Sequence, residues 1–314
     1  MRAELGLVVL SAHDVDSVVR FFRDALAMPL SSRALGDGLK PVFTLGQLEL
    51  AVLRVGDPYL DTPGVSGIDH VRFDVPDVAE FAKAKRLKVS ASTRGRDEPH
   101  YLSLDMRSTC NVSIRLSTAP GEGLEAGNEP AGAGVVAAQQ SPRARLYVAT
   151  DAPPALEQVF IHKLGCKVLQ RQTAVTVKQV TESFVSDKYG AVVHSRPPAI
   201  DGGVSTIHLD AGRCQLALLS KYEAVPAVPN RAGDRGNLGA QNRELVDKGT
   251  GGLSSGTTFL CLLVSNLEAE LARLEAAGWR VSDQPTNAGD WAAPARFIDP
   301  AHFGGGLLLA LCEA

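Results

Sequence analysis

One sentence is written four times along this chain, and that repetition limits the fold more than any composition figure: a short apolar strand, a capped helix, then further strand-like runs. The first copy opens at Leu7-Val8-Val9-Leu10 and passes Ser11-Ala12-His13-Asp14. It then enters a helix whose apolar residues Val15, Val18, Val19, Phe22 and Leu26 recur at helical spacing, with Asp14 as the predicted N-cap. The second copy, Ile68-Asp69-His70-Val71-Arg72-Phe73-Asp74-Val75-Pro76-Asp77, leads into a shorter helix with Val78 and Phe81 inward. A third begins at Arg145-Leu146-Tyr147-Val148, places Pro153 and Pro154 in a helical first turn, and stops at Gly165. In the fourth, the strand Phe259 to Val264 is followed by the cap Ser265-Asn266 and the stripe Leu267, Leu271 and Leu274. That helix stops at Gly278, before a predicted strand Trp279-Arg280-Val281.

Alternating or apolar runs bounded by Gly, Asp or Pro complete each unit. They are Met28 to Arg33, Lys40 to Leu45 and Gln47 to Arg54 in the first copy, and Leu87 to Ser92, His100 to Asp105 and Asn111 to Ser117 in the second. The third supplies Val204 to Asp210 and Cys214 to Leu219 after a stretch, Cys166 to Val193, that resists parsing; the fourth closes with Arg296 to Asp299 and Gly306 to Cys312. The predicted class is therefore α+β, built from four tandem βαβββ modules. Two segments break the pattern: Thr118 to Pro142, rich in Gly, Ala and Pro, reads as a linker, and Tyr222 to Gly252 reads as a long loop, either a functional lid or disordered. The expected organisation is one pair of modules over residues 1–117, a linker over 118–142, and a second pair over 143–314 that carries the loop 222–252.

Composition removes whole classes of function. With 32 Lys+Arg against 35 Asp+Glu and no basic block, the chain has no electrostatic footprint for nucleic acid. Its five cysteines are scattered, without a Cys-x-x-Cys pair, which supports neither a disulfide framework nor a zinc knuckle and fits a reducing cytoplasm. The apolar stretch Leu5 to Leu10 is too short for a signal segment, and no apolar run approaches the ~20 residues that span a bilayer. A cytoplasmic protein without membrane or nucleic-acid partners is expected. No Gly-x-Ser-x-Gly elbow, phosphate-binding loop or His-Glu-x-x-His is present.

The repeat, together with Gly67-Ile68-Asp69-His70-Val71 and Pro76-Asp77-Val78, the helix from Asn266 to Gly278, and the run Phe297 to Leu307, resembles the vicinal oxygen chelate superfamily. That superfamily includes glyoxalases, epimerases, bleomycin-type resistance proteins and extradiol ring-cleaving dioxygenases; a four-module chain is similar to the last of these. The resemblance implies two cup-shaped half-barrels, each made by a pair of modules, and a divalent metal held by His, Glu or Gln side chains from the first and last strands of a module. The matching first-strand positions here are Leu7, His70, Arg145 or Ala144, and Phe259, and the last-strand positions are Ala51 or Glu49, Arg115, Ala217 and Ala310. Phe259 and Ala310 cannot coordinate a metal, so no cofactor is expected in the C-terminal cup.

Strand alternation sets Val71, Phe73 and Val75 against the helix and turns His70, Arg72 and Asp74 into the N-terminal cup. A polar cluster of Glu49, His70, Arg72 and Arg115 could be an internal ion-pair network, a site for an anionic or hydroxylated ligand, or a His70/Glu49 remnant of a metal site. The first functional reading is a small, aromatic ligand bound or transformed without metal in the C-terminal cup, lined by Arg145, Tyr147, His208, Phe259 and Cys261. His208 is the candidate catalytic residue, since the resemblance implies a base histidine in a comparable part of the third module. The alternative is a metal-dependent extradiol dioxygenase or glyoxalase-type lyase that uses iron, manganese or zinc around His70, Glu49 and His208. A purely structural role is the third reading. The remaining histidines, His13, His100, His162, His194 and His302, read as solvated, and exposed sheet edges allow a homo-oligomer.

Overall fold

A computed structural model describes residues 2–36, 38–91, 101–118, 143–150, 152–178, 181–186, 190–195, 199–221, 258–282 and 295–313. The linker expected at 118–142 lies outside these residues beyond Thr118, and so do His100 and the loop 222–252. The first half contains β1 (Glu4–Ala12), β2 (Leu30–Leu35), β3 (Gly38–Leu45), β4 (Leu48–Arg54), β5 (Gly67–Val75), β6 (Val89–Ala91), β7 (Tyr101–Leu104) and β8 (Ile114–Thr118). The second contains β9 (Arg143–Thr150), β10 (Lys167–Lys178), the hairpin β11 (Thr181–Ser186) and β12 (Gly190–Ser195), β13 (Ala199–Asp210) and β14 (Gln215–Lys221). It continues with β15 (Thr258–Val264), β16 (Val281–Ser282), β17 (Arg296–Ile298) and β18 (Leu309–Glu313). Two eight-stranded sheets result, ordered β2-β3-β4-β1-β5-β8-β7-β6 and β10-β13-β14-β9-β15-β18-β17-β16.

Each module closes the same way. Its last strand returns parallel to its first, as β4 to β1, β8 to β5, β14 to β9 and β18 to β15. Modules then join in pairs through antiparallel first strands, β1 with β5 and β9 with β15. The outcome is an α+β fold of four βαβββ units whose sheets curl without closing, leaving two cups.

Helices α1 (Val15–Arg20), α2 (Val78–Ala84), α3 (Pro153–Glu157) and α4 (Leu267–Ala276) cover the convex sides. Asp14 and Asn266 cap as expected, accepting from the Ser17 and Ala269 amides, and Asp77 caps α2 in the same way by accepting from the Glu80 amide. Both α1 and α3 run on into a π-helical turn, Phe21–Ala25 and Gln158–Lys163. The wider turn buries Phe21 beside Phe22, where helical spacing alone selected only Phe22.

The convex faces share one core. Val8 and Leu10 of β1, Val71 and Phe73 of β5, Leu146 and Val148 of β9, and Leu260 and Leu262 of β15 belong to a single buried cluster together with Phe21, Phe81, Phe160 and Leu274. Phe73 meets Phe160 at 6.2 Å between ring centroids, and Phe21 meets Trp279 at 4.9 Å and Phe303 at 5.5 Å, so rings from different halves interlock. The strand expected at Trp279 therefore starts later, at Val281, because Trp279 is used as a packing ring. Alternate residues of these and the neighbouring strands face the cups, Leu7, Val9 and Ala51 with Tyr59 of the turn after β4 on one side, and Tyr147, Phe259, Cys261 and Ala310 on the other.

Two bulges interrupt the β1–β5 ladder. Leu5 pairs with Phe73 and Leu7 with Arg72, which leaves Gly6 extra; Val9 pairs with His70 and Leu10 with Ile68, which leaves Asp69 extra. Gly6 has a structural reason, because a Cβ there would run into the Asp74 carboxylate.

Candidate functional site

The C-terminal cup is laid out by strand register. His208, Ala217, Tyr147 and Phe259 form one row across β13, β14, β9 and β15. One pleat away, Gln215, Arg145, Cys261, Ala310 and Phe297 form a second row across β14, β9, β15, β18 and β17. Thus Arg145, Tyr147, His208, Phe259 and Cys261 come to one concave surface.

Its floor is aromatic and its rim is polar. Tyr147 and Phe259 stack with centroids 4.5 Å apart and planes 4° from parallel, and Phe297 tilts against Phe259 at 5.4 Å. Arg145 donates from Nε and Nη2 to Gln215 Oε1 at 3.0 and 2.8 Å, and from Nη1 to the Tyr147 hydroxyl at 3.2 Å. Both acceptors are neutral, and no carboxylate among the described residues pairs with this guanidinium. Burial pushes the Tyr147 phenol up and outweighs the opposing bond from Arg145. His208 is half-buried; burial, then the neighbouring Arg145 charge, hold its imidazole below the ordinary value, and its Nδ1 has no hydrogen-bond partner among the described residues.

In the N-terminal cup the expected polar cluster divides in two. Glu49 pairs with Arg33 and lies 3.8 Å from Arg72, while Arg72 Nε donates to Asp74 at 3.0 Å, and Arg213 from the other half reaches Asp74 at 3.1 Å. His70 and Arg115 instead join Asp69 and Asp61, two acids that strand alternation and motif reading do not select. Asp69 is the bulge residue, which rotates it to the side of its neighbour; Asp61 lies in the turn before β5, where no periodicity marks it.

This second cluster is closely built. His70 Nδ1 lies 2.6 Å from Asp69 Oδ2, and Asp69 also accepts from the Asp61 amide at 2.8 Å, the Thr62 amide at 2.8 Å and the Thr62 hydroxyl at 2.6 Å. Burial works to raise the Asp69 carboxyl, but the His70 bond and charge, with Thr62 and the Asp61 amide, outweigh it and hold the group at about 2. Burial dominates at His70 and lowers its pKa despite Asp69, so the ring is neutral with its proton on Nδ1 and a bare Nε2 that has no partner among the described residues. Arg115 is clamped by Asp61 and the Tyr59 carbonyl at 2.8 Å, and its guanidinium lies 4.7 Å from the Tyr59 ring and 4.4 Å from that of Tyr101.

The divalent metal implied by the resemblance finds different donors in the two cups. In the C-terminal one, Phe259 and Ala310 occupy the matching positions and offer no lone pair, so the residues there do not fit such an ion. In the N-terminal one, Asp61, Asp69 and His70 each bring a ligand-type atom within 4.8 Å of the others. Their carboxylates are already committed to Arg115, Ser113, Thr62 and backbone amides. A guanidinium supplies the positive charge that an ion would bring.

No protein-family model and no curated protein sequence matches the chain. Solved structures do. A triple mutant of 4-hydroxymandelate synthase from Streptomyces coelicolor matches at 13% identity over 99% of this chain and 92% of that one, with a TM-score of 0.56. The 2,3-dioxygenase LapB from Pseudomonas sp. KL28 matches at 13% identity over 100% of this chain and 94% of its own, with a TM-score of 0.53. 2,2',3-Trihydroxybiphenyl 1,2-dioxygenase from Sphingomonas wittichii matches at 14% identity over 99% and 91%, with a TM-score of 0.50. The described residues, with their four modules and two open cups, have the vicinal oxygen chelate fold.

Proposed function

We propose that the protein binds a small, acidic aromatic molecule in its C-terminal cup and needs no metal to do so. The observation that carries this reading is Arg145, a half-buried cation with only neutral hydrogen-bond acceptors, set at the rim of a floor made by Tyr147, Phe259 and Phe297. A half-buried cation lacking an anion favours a ligand that brings one, and stacked rings favour a flat apolar body. His208, neutral and with Nδ1 free among the described residues, adds one hydrogen-bonding group that can accept a proton from a bound hydroxyl. The protein would sequester such a compound, or help transform it by orientation and proton transfer.

Calorimetric titration of the full chain with a panel of hydroxybenzoates and larger aryl carboxylates, in the presence of a chelator, tests this. Saturable binding is expected, weakened ~10-fold or more in Arg145→Met, in line with the loss of a hydrogen bond to a charged group. Binding that vanishes in chelator, or that ignores Arg145→Met, refutes the reading. The Asp61, Asp69 and His70 grouping favours a second one, in which iron, manganese or zinc is held in the N-terminal cup and supplies Lewis-acid chemistry. Stoichiometric metal in purified protein, lost in Asp69→Asn, would favour that alternative.

A further inference from the structure

Two thiols lie on the floor of the C-terminal cup. Cys261 pairs in register with Ala310, and Leu263 with Cys312, so the two cysteines are diagonal neighbours on the adjacent parallel strands β15 and β18. Alternation sends Leu262 and Leu311 into the convex core and turns both thiols to the concave side, where they share one buried cluster. Both thiols are buried, and on this face nothing but β-strand register separates them. The other described cysteines are placed differently. Cys214 lies 3.3 and 3.0 Å from the carbonyls of Ala144 and Gln215, Cys166 belongs to the convex core, and Cys110 is half-buried at the end of a helical turn.

Charge is the second observation. Arg145 pairs in register with Cys261 on that concave face, and no carboxylate among the described residues pairs with its guanidinium. We propose that Cys261 and Cys312 form a two-thiolate site for a soft monovalent cation, cuprous ion, with Arg145 as its counter-charge. Soft thiolates select Cu(I), whereas zinc asks for four donors, and the surrounding Phe259, Phe297 and Ala310 offer none. On binding, each thiol gives its proton to solvent and two sulfur–copper bonds form, with no change of oxidation state. Two thiolates on one monovalent ion carry a net charge of −1, and Arg145 offsets that charge in a water-poor cup. The site does not depend on the organic ligand proposed above, although both would use Arg145.

The test is an anaerobic titration of the full chain with Cu(I) against a colorimetric cuprous chelator, with no organic ligand added. One copper per chain is expected, with two sulfur neighbours in X-ray absorption. Cys261→Ser and Cys312→Ser should each weaken it by more than the ~100-fold that can follow loss of an outer partner, and Arg145→Met by ~10-fold, with Arg145→Lys recovering most of that. Cys110→Ser and Cys166→Ser should leave it unchanged. In wild type, copper should protect Cys261 and Cys312 but not Cys110 from alkylation, a readout that survives if a serine variant fails to fold. No copper held against the chelator, binding indifferent to Cys261→Ser, or absence of that protection would overturn the proposal.

Discussion

His70 is neutral in the folded protein because desolvation outweighs the pull of Asp69, and the consequence appears in stability against pH. Once unfolded, the ring regains its ordinary pKa near 6.5, while the folded ring resists a proton; Asp69 and Asp61 face it as acids, and Arg115 as a like charge. Its contribution is therefore fully present above pH ~6.5 and declines as pH falls below that value. Asp69 acts in the same direction lower down, losing its contribution between the ordinary carboxylate value and about 2. Urea midpoints measured from pH 8 to pH 5 should fall with acidification, and His70→Gln should flatten that slope; a variant slope equal to wild type would refute the assignment. Asp69→Asn, which sets an amide donor against either the Thr62 donors or the Asp61 amide and Nδ1, should cost about 2 kcal/mol at pH 7. The side that His70 faces follows from alternation along Ile68 to Val75. Its partner Asp69 does not, because a one-residue bulge defeats parity without any mark in the residue order.

The elements follow local rules closely, and their departures have physical causes. Asp14 and Asn266 cap the helices whose starts they announce, and Asp77 caps a third. The helix after β1 widens into a π turn that carries the two buried phenylalanines Phe21 and Phe22, a widening that helical spacing does not mark. The bulge at Gly6 is likewise a fitted detail, where absence of a Cβ admits the Asp74 carboxylate that Arg72 and Arg213 share. Gly6→Ala should destabilise the protein by ~1–3 kcal/mol, as overpacking does. Pairing it with Asp74→Ala should recover part of the loss, so that the double variant is less destabilised than the sum of the singles. Simple additivity in a double-mutant cycle would rule out this steric account.

Across the whole molecule, one core joins both sheets. Phe21 of the first module packs on Trp279 and Phe303 of the fourth, and Phe73 of the second on Phe160 of the third. Phe21→Ala should therefore cost ~3–5 kcal/mol and lower the midpoints of both halves together, read by hydrogen exchange in β1 and in β18. Separate transitions, with β18 unaffected, would mean that the halves unfold independently. The residue order alone determined the fourfold βαβββ repeat, the helix starts at Asp14 and Asn266, and the face on which His70 and Arg72 lie, because period and capping act within a few residues. Only the tertiary structure decided that Asp61 and Asp69 would gather around His70 and Arg115, that Cys261 and Cys312 would lie diagonally on adjacent strands, and that Trp279 would stay outside β16. Each of those depends on register, bulges and ring packing between segments far apart in the chain, which no local pattern encodes.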